Sequence, residues 1–426
     1  MRKESIERYS FGMAEFVIEE QQAFQGDEKQ SLKDLNLDFT ENKVKYLGLN
    51  PYNYSVSYYI GIDWLENAHY ILVKPKIANL DYIKMFMHCL KHPEVSQYVK
   101  NIYHFDFQKP KITPDTQIEM DFNLFLIAHF LELVEQIVKQ GLKKNYIQIE
   151  ENLSSKIKGK ITWSQQIKKN IAAKREDRAF CRYQEYSVNC LENRFLKKTL
   201  LMVQRYLKHF DKSQIKPLIQ QQNRLLNALE NVSDNISYQQ IKMLKVNSLY
   251  KEYVEAIDLA KKIMQKFGYS FANTDNKEKQ KEMSPFWIDM SKLFELYVYS
   301  LLKDEYGKTI LYQKQGNYGQ PDFLDTDKRL ILDTKYKEYY EKDWSDLSQS
   351  EKDNIAKDIR QLSGYARDKK ILKNHLNTLC DNEVVDCVII FPNANSTINF
   401  QDRDLKETQI TQFTKFWKYG IKLPLR

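Results

Sequence analysis

The stretch Gln320 to Lys337, QPDFLDTDKRLILDTKYK, leaves few ways to fold. Two β-prone runs, Pro321-Asp322-Phe323-Leu324 and Leu330 to Tyr336, flank Asp325-Thr326-Asp327-Lys328, whose short polar side chains suit a tight turn. The pattern predicts a hairpin. Residues two apart on a strand share a face, so Asp333 and Lys335 project together, with Leu332 and Ile331 helping to supply an apolar setting. Pairing of the two strands sets Asp322 beside them. Two carboxylates and one ammonium at a strand end suit metal-assisted cleavage of a phosphodiester. Carboxylates hold Mg²⁺, a hard ion that keeps exchangeable waters, and the ion acidifies a bound water and stabilises charge on the phosphate. Lys335 would orient that water or stabilise the developing charge.

The tripeptide alone does not discriminate. Acid-x-Lys recurs at Asp27-Glu28-Lys29, Glu41-Asn42-Lys43, Asp275-Asn276-Lys277, Asp368-Lys369-Lys370 and Asp404-Leu405-Lys406, and Pro-Asp recurs at Pro114-Asp115. Those copies lack an apolar run leading into them or a suitable partner. The competing reading is a charged hairpin edge that resists aggregation. Context favours the site. Ser284 to Tyr306 reads as an amphipathic helix with Ser284 as N-cap, Pro285 at the first position and Gly307 as the stop. Glu295 interrupts its apolar patch of Phe294, Val298, Leu301 and Leu302. A carboxylate there is costly without a partner, so Glu295 faces either the metal site or a salt bridge at the helix edge. Asp353 to Lys370 reads as a second helix carrying Gln361 and Tyr365 one turn apart; Gln361 is a neutral amide able to orient phosphate or water. Val384 to Phe391 is a buried strand closed by Pro392. Helix, three strands, helix, strand is the order of a restriction-endonuclease-like PD-(D/E)xK α/β core.

More particularly, the chain resembles the McrC family, the nuclease subunits of McrBC-type modification-dependent restriction systems. The resemblance runs through Leu293-Phe294-Glu295, Pro321-Asp322, Asp333-Thr334-Lys335-Tyr336-Lys337, Gln361-Leu362-Ser363-Gly364-Tyr365 and Ile390-Phe391-Pro392. In the middle of the chain it continues as Gly159-Lys160-Ile161, Cys181-Arg182-Tyr183 and Asn193-Arg194-Phe195-Leu196-Lys197. The family more often has Arg after that glycine and Ala between the catalytic Asp and Lys; neither change removes a metal ligand. The first hundred residues match little. The resemblance implies a Mg²⁺-dependent endodeoxyribonuclease with Asp322, Asp333 and Glu295 at the metal and Lys335 and Gln361 completing the site. It implies double-stranded DNA carrying a modified base such as 5-methylcytosine as substrate. The implied partner is an McrB-like AAA+ GTPase hexamer, whose hydrolysis is stimulated and which the N-terminal part engages. Two alternatives stay open: an independent PD-(D/E)xK repair or recombination nuclease, and a non-catalytic motor-docking adaptor.

At 426 residues the chain calls for two or three domains. The expected fold class is mixed α/β and multidomain: a β-rich N-terminal domain over 1–115, a mixed α/β and helical middle region over 116–272, and the nuclease core over 283–426. The polar stretch Asn273 to Glu282 would be the linker. Val44 to Leu47, Tyr54 to Ile62 and His69 to Val73 read as strands and Tyr82 to Leu90 as a helix. The aromatic cluster of Tyr52, Tyr54, Tyr58, Tyr59, Trp64 and Tyr70 suits a core, a base-stacking platform or a partner surface. In the middle, Phe122 to Gly141, Ser164 to Ala173, Asn189 to Phe210, Ile215 to Leu229 and Leu249 to Phe267 read as helices. Ile157 to Trp163 and Ala179 to Tyr186 read as strands. Basic residues between Lys156 and Arg178 suit either a phosphate grip or a solvated face.

A net charge of +8 and a pI near 8.8 are compatible with nucleic acid and decide little over this length. Five scattered cysteines without metal spacing suggest reduced thiols. With no apolar leader after Met1 and no apolar run of about 18 residues, a soluble, cytoplasmic protein with no membrane partner is expected. No Walker-type phosphate loop is present, which disfavours nucleotide hydrolysis by this chain itself.

Overall fold

A computed structural model of the chain describes residues 15–39, 45–66, 69–112, 116–213, 215–245, 250–272, 284–377, 384–396, 400 and 404–426. In chain order the strands are β1 (Glu15–Glu19), β2 (Tyr59–Trp64), β3 (Tyr70–Lys74), β4 (Tyr103–Phe105), β5 (Asn145–Ser154), β6 (Lys160–Ile161) and β7 (Arg178–Ser187). They continue as β8 (Phe286–Asp289), β9 (Ile310–Tyr312), β10 (Phe323–Asp325), β11 (Leu330–Thr334), β12 (Asp386–Pro392), β13 (Thr408–Gln409) and β14 (Phe416–Ile421). The fold is mixed α/β in two units, and the division does not follow chain order: residues 1–113 join 283–426 in one, and 114–282 form the other.

Strand β8 explains the joining. The helix expected from Ser284 begins at Met290, where the Asp289 carboxylate accepts from Lys292 N at 2.9 Å. Upstream of it, Phe286 and Ile288 are buried while Trp287 and Asp289 are half-buried. That alternation is the two-residue period of a strand. β8 runs antiparallel between β2 and β4 in a sheet ordered β1-β3-β2-β8-β4. Gly61 makes room for it, since with φ +136 a Cβ there would lie 2.2 Å from the Phe286 carbonyl oxygen. The Met290–Tyr306 helix then packs on the Tyr82–Cys89 helix, with His88 Nδ1 2.8 Å from Ser300 Oγ. The expected separation of 1–115 from 283–426 is therefore redrawn: the segments share a sheet and a helix contact. Nor does Val44 to Leu47 form a strand. Val44 lies outside the described residues, and Lys45–Gly48 is a 3₁₀ turn with Tyr46 and Leu47 left-handed (φ 55 and 57). Both side chains are buried there, which offsets the backbone cost.

The second sheet of this unit is ordered β13-β14-β12-β11-β10-β9. β12 lies parallel to both β11 and β14 and is buried on both faces, hence its unbroken apolar run. One face receives the Gln349–Tyr365 helix, opened by a Ser348/Glu351 capping box, through Ile355, Ile359 and Leu362 against Leu324, Ile331 and Ile389. The single helix expected over Asp353 to Lys370 is two, because Asp368 caps a new one at Lys369–Asn374. The Met290–Tyr306 helix sets Tyr299 on Tyr312 and beside Phe323, and Phe294 beside Tyr336.

In the 114–282 unit the Thr116–Gln140 helix packs with Lys216–Ala228 and Lys251–Ala272, and Leu191–Leu207 packs with the latter two. The buried Asn193 side chain donates to the Lys143 and Val188 carbonyls and accepts from the Tyr253 hydroxyl. Strands β5 and β7 pair along their full length as a long hairpin, with β6 on β7. β5 escapes a periodicity reading because its side chains are mostly exposed on both faces. The strand expected over Ile157 to Trp163 shrinks to β6. The expected Ser164–Ala173 helix becomes Trp163–Gln166 followed by a π-helical turn at Ile167–Ile171. Asn273 to Glu282 lies outside the described residues. No helix among the described residues is long and apolar enough to cross a membrane.

Candidate active site

The hairpin of β10 and β11 pairs Phe323 with Leu332, Leu324 with Ile331 and Asp325 with Leu330. The turn is fixed as its composition suggests, with Asp325 Oδ1 accepting from Asp327 N and Lys328 N. Continued by one residue, the register places Asp322 opposite Asp333, where directly opposed side chains share a face. Beyond the strand, Asp322 Oδ2 accepts from Thr334 N at 2.7 Å and from the Thr334 hydroxyl. Its direction is thereby fixed by the residue between Asp333 and Lys335. Strand periodicity sends Thr334 away from Asp333, so spacing alone does not reveal this role. Lys335 Nζ lies 2.5 Å from Asp333 Oδ2 and donates to Gln361 Oε1 at 3.3 Å; Gln361 in turn donates to the Tyr365 hydroxyl at 3.0 Å. Lys335 N donates to the Ile390 carbonyl at 2.9 Å, holding the lysine against β12.

Asp333 is 2% exposed, and burial followed by the charge of Asp322 pushes its carboxyl up to about 7, with Lys335 opposing. For Lys335, burial works against the charged form, yet the Asp333 carboxylate holds the ammonium above its usual range. Glu295 is likewise pushed up to about 7, by burial and then by Asp322. Its oxygens accept from Lys292 Nζ (2.7 and 2.8 Å), the Tyr312 hydroxyl (2.8 Å) and Gln313 Nε2 (2.8 Å). Glu295 thus pairs with Lys292 and is buried where the charge of Asp322 reaches it.

Among the described residues, no three His, Cys, Asp or Glu side chains are grouped so as to hold a metal ion. The expected ligand trio of Asp322, Asp333 and Glu295 is therefore not assembled, and the donors already around Glu295 give the reason. The Asp322/Asp333 pair does fit Mg²⁺, which takes one or two carboxylates and keeps its waters. The charge of Asp322 raises the proton affinity of Asp333, and Asp333 Oδ2 is buried with no aligned hydrogen bond, only the ammonium beside it.

Sequence spacing also misses the second row of residues. Asp358 accepts from Lys337 Nζ at 2.8 Å and the Tyr340 hydroxyl at 2.7 Å. The Tyr336 hydroxyl donates to Glu20 Oε1 at 2.8 Å, and Lys76 Nζ lies 3.9 Å from the Tyr336 ring and donates to its carbonyl. Glu20 is fully buried, and burial above all pushes it up to about 7. Of the aromatic cluster, Tyr59 packs on Trp287 and Trp64 on Tyr70 within the first sheet and Tyr52 is exposed, while Phe195 and Leu196 of the NRFLK motif are core. The basic residues between Lys156 and Arg178 are exposed, some lying over Tyr183 and Phe180.

Residues 55–378 match the family described as "McrBC 5-methylcytosine restriction system component". No curated protein matches. Two solved structures are similar over most of the chain. A chain of the refined half-complex from a tetradecameric assembly of Thermococcus gammatolerans McrB AAA+ hexamers with bound McrC is 16% identical, with TM-score 0.37, over 96% of this chain and 95% of that one. A chain of the cryo-EM structure of the Thermococcus gammatolerans McrBC complex is 16% identical, with TM-score 0.29, over 82% of this chain and all of that one.

Proposed function

Since this chain belongs to the McrBC 5-methylcytosine restriction system family, we propose that it is the endonuclease subunit of such a system. It would cut modified double-stranded DNA at a PD-(D/E)xK-type site in its second sheet. The observation that carries this reading is the buried Asp333–Lys335 pair, with Asp322 in register across the hairpin. Asp322 and Asp333 would hold Mg²⁺, with Thr334 fixing the direction of Asp322. When bound, the ion supplies charge stabilisation at the phosphate and an acidified water. Lys335, already beside Asp333, donates to a phosphate oxygen where negative charge develops. Gln361 holds the ammonium in place from the neighbouring helix. Glu295 keeps the field behind Asp322 negative, and its bonds to Tyr312 and Gln313 anchor that edge.

The partner in this reading is an McrB-like AAA+ GTPase hexamer whose hydrolysis the chain stimulates. We place the docking surface on the 114–282 unit rather than on 1–115. The N-terminal segment is committed to the site, through Glu20 and Lys76 on Tyr336. By contrast, Trp163, Ile167 and Ile171 recur every four residues and are exposed at 64%, 53% and 56%. Such a stripe is a protein contact in waiting. The test is cleavage of methylated and unmethylated plasmid with and without Mg²⁺, GTP and the purified partner. Cutting that needs the modification and every component is the expected result. Cutting without the partner indicates an independent nuclease; stimulated GTP turnover without any cutting indicates an adaptor.

A further inference from the structure

Tyr318 is 99% exposed at the tip of the loop between β9 and β10. Neighbouring rings are not left in water: Tyr312 and Phe323, at the two ends of that loop, are buried and packed on Tyr299. Folding gains nothing from an aromatic ring held out in solvent.

The loop that carries the ring is braced. Gly316 N donates to the Gly319 carbonyl at 2.7 Å, and Asn317 donates to Asp368 through its backbone N (2.6 Å) and its Nδ2 (2.9 Å). The same carboxylate caps the Lys369–Asn374 helix through Lys370 N and Ile371 N. Gly319 has φ +143, and a Cβ there would come within 3.1 Å of the Tyr365 ring, so the loop rests directly on Tyr365. Tyr365 accepts from Gln361, and Gln361 accepts from Lys335. The footing of the loop is thus the footing of the candidate site.

We infer that Tyr318 stacks on a nucleobase of the DNA strand entering the Asp322/Asp333/Lys335 site. This rests on the nuclease reading above. Asp322 is four Cα-to-Cα steps from Tyr318, a span of at most about 14 Å. At 3.4 Å of helix axis per nucleotide, the stacked base lies within roughly four nucleotides of the scissile phosphate. Residues 313–321, QKQGNYGQP, contain no carboxylate to repel a phosphate backbone. A tyrosine face stacks on any base, so the contact positions the strand without reading its sequence.

The test uses the full-length chain with duplexes carrying 2-aminopurine at successive positions around the cut, in Ca²⁺ so that cutting does not intrude. Wild type should quench the probe within about four nucleotides of the cut. Tyr318→Ala should remove that quenching and weaken binding about tenfold, with an unchanged melting temperature, while Tyr318→Phe and Tyr318→Trp restore both. Unchanged quenching and affinity in Tyr318→Ala overturn the inference alone, as does failure of the Phe and Trp variants to restore them. An effect confined to the partner's GTP turnover also overturns it, and assigns the ring to a protein contact. A wild-type chain that binds no DNA even with the partner and GTP present overturns the inference and the nuclease reading together.

Discussion

In the unit made of residues 1–113 and 283–426, charge is taken out of water. Asp333, Glu295, Asp358 and Glu20 are buried, and each has an engineered-looking set of donors, ammonium groups or tyrosine hydroxyls around it. In the 114–282 unit the reverse holds at the end of the β5–β7 hairpin, where Trp163, Ile167 and Ile171 are left in water. Each arrangement costs free energy in the isolated chain, the first through desolvation and the second through exposed apolar area. The kind of cost indicates the kind of partner. Buried carboxylates are relieved by a cation, and exposed apolar side chains by another protein surface.

The contrast breaks first, and hardest, at the carboxylates. Asp322→Ala and Asp333→Ala should abolish DNA cleavage, a loss of at least about a thousandfold, while the chain still raises the partner's GTP turnover. Lys335→Ala should lose comparable activity with metal affinity retained, since an ammonium is not a ligand, and Gln361→Ala should lose less. Single-turnover cleavage with Mg²⁺ titration measures all four. If Gln361→Ala is the most damaging, the roles given to Lys335 and its support are wrong.

The boundary of the unit is the next test. Residues 283–426 carry the hairpin, β12 and both flanking helices, yet β8 would lose β2 and β4, and the Met290–Tyr306 helix would expose the face that Tyr82–Cys89 covers. This fragment should be insoluble or molten, whereas co-expression with residues 1–113 should recover soluble material. A well-folded fragment in near-ultraviolet circular dichroism would show that the N-terminal segment is an addition to the site and not part of its fold.

A milder effect is expected at the exposed stripe. Trp163→Ser with Ile167→Ser should weaken association with the AAA+ partner by one to two orders of magnitude, about 2 kcal/mol. Neither side chain contributes to a core, so the melting temperature should hold or rise. Unaltered association measured by calorimetry would return docking to another surface.

How far these features were legible in the sequence follows from how local each one is. The β10–β11 hairpin, its turn and the Asp333–Lys335 pair lie within sixteen residues of chain, and two-residue periodicity is enough to find them. The Ser284–Trp287 segment misleads because Ser-Pro is a good helix start, and only pairing with β2, more than 200 residues earlier, makes it a strand. Glu20 and Lys76 stand on Tyr336 from some 260 to 316 residues away, beyond any spacing argument. Thr334 is a different case: it lies inside the motif, but its role depends on Asp322 turning back at the strand end. The apolar stripe was written in the sequence at four-residue intervals, where it is indistinguishable from a core face until its exposure is known.

The smallest effect concerns buried carboxylates of the two units, which titrate in opposite directions. Glu192 is pushed up by burial, yet the Lys143 ammonium at 2.6 Å and its own backbone N–H outweigh this and hold it below the usual range. It therefore contributes stability present above its unfolded pKa and lost as the pH falls. Glu20 behaves oppositely. Its ordinary value is 4.5 and its folded value is about 7, so below pH 4.5 it is protonated in both states and costs nothing. Between those values the unfolded chain releases the proton that the folded chain keeps, and stability falls as the pH rises, levelling off above about 7. Glu20→Gln imitates the protonated form and still accepts from Tyr336. The variant should match wild type near pH 4.5 and exceed it near pH 7.5 by about 1–2 kcal/mol. Asp333 and Glu295 titrate in the same window, so the quantity to measure is the difference between the two proteins. Urea unfolding of metal-free samples at both pH values gives it. A difference that does not change with pH would mean that Glu20 ionises in the folded chain as it does in the unfolded one, with Lys76 offsetting what its burial costs.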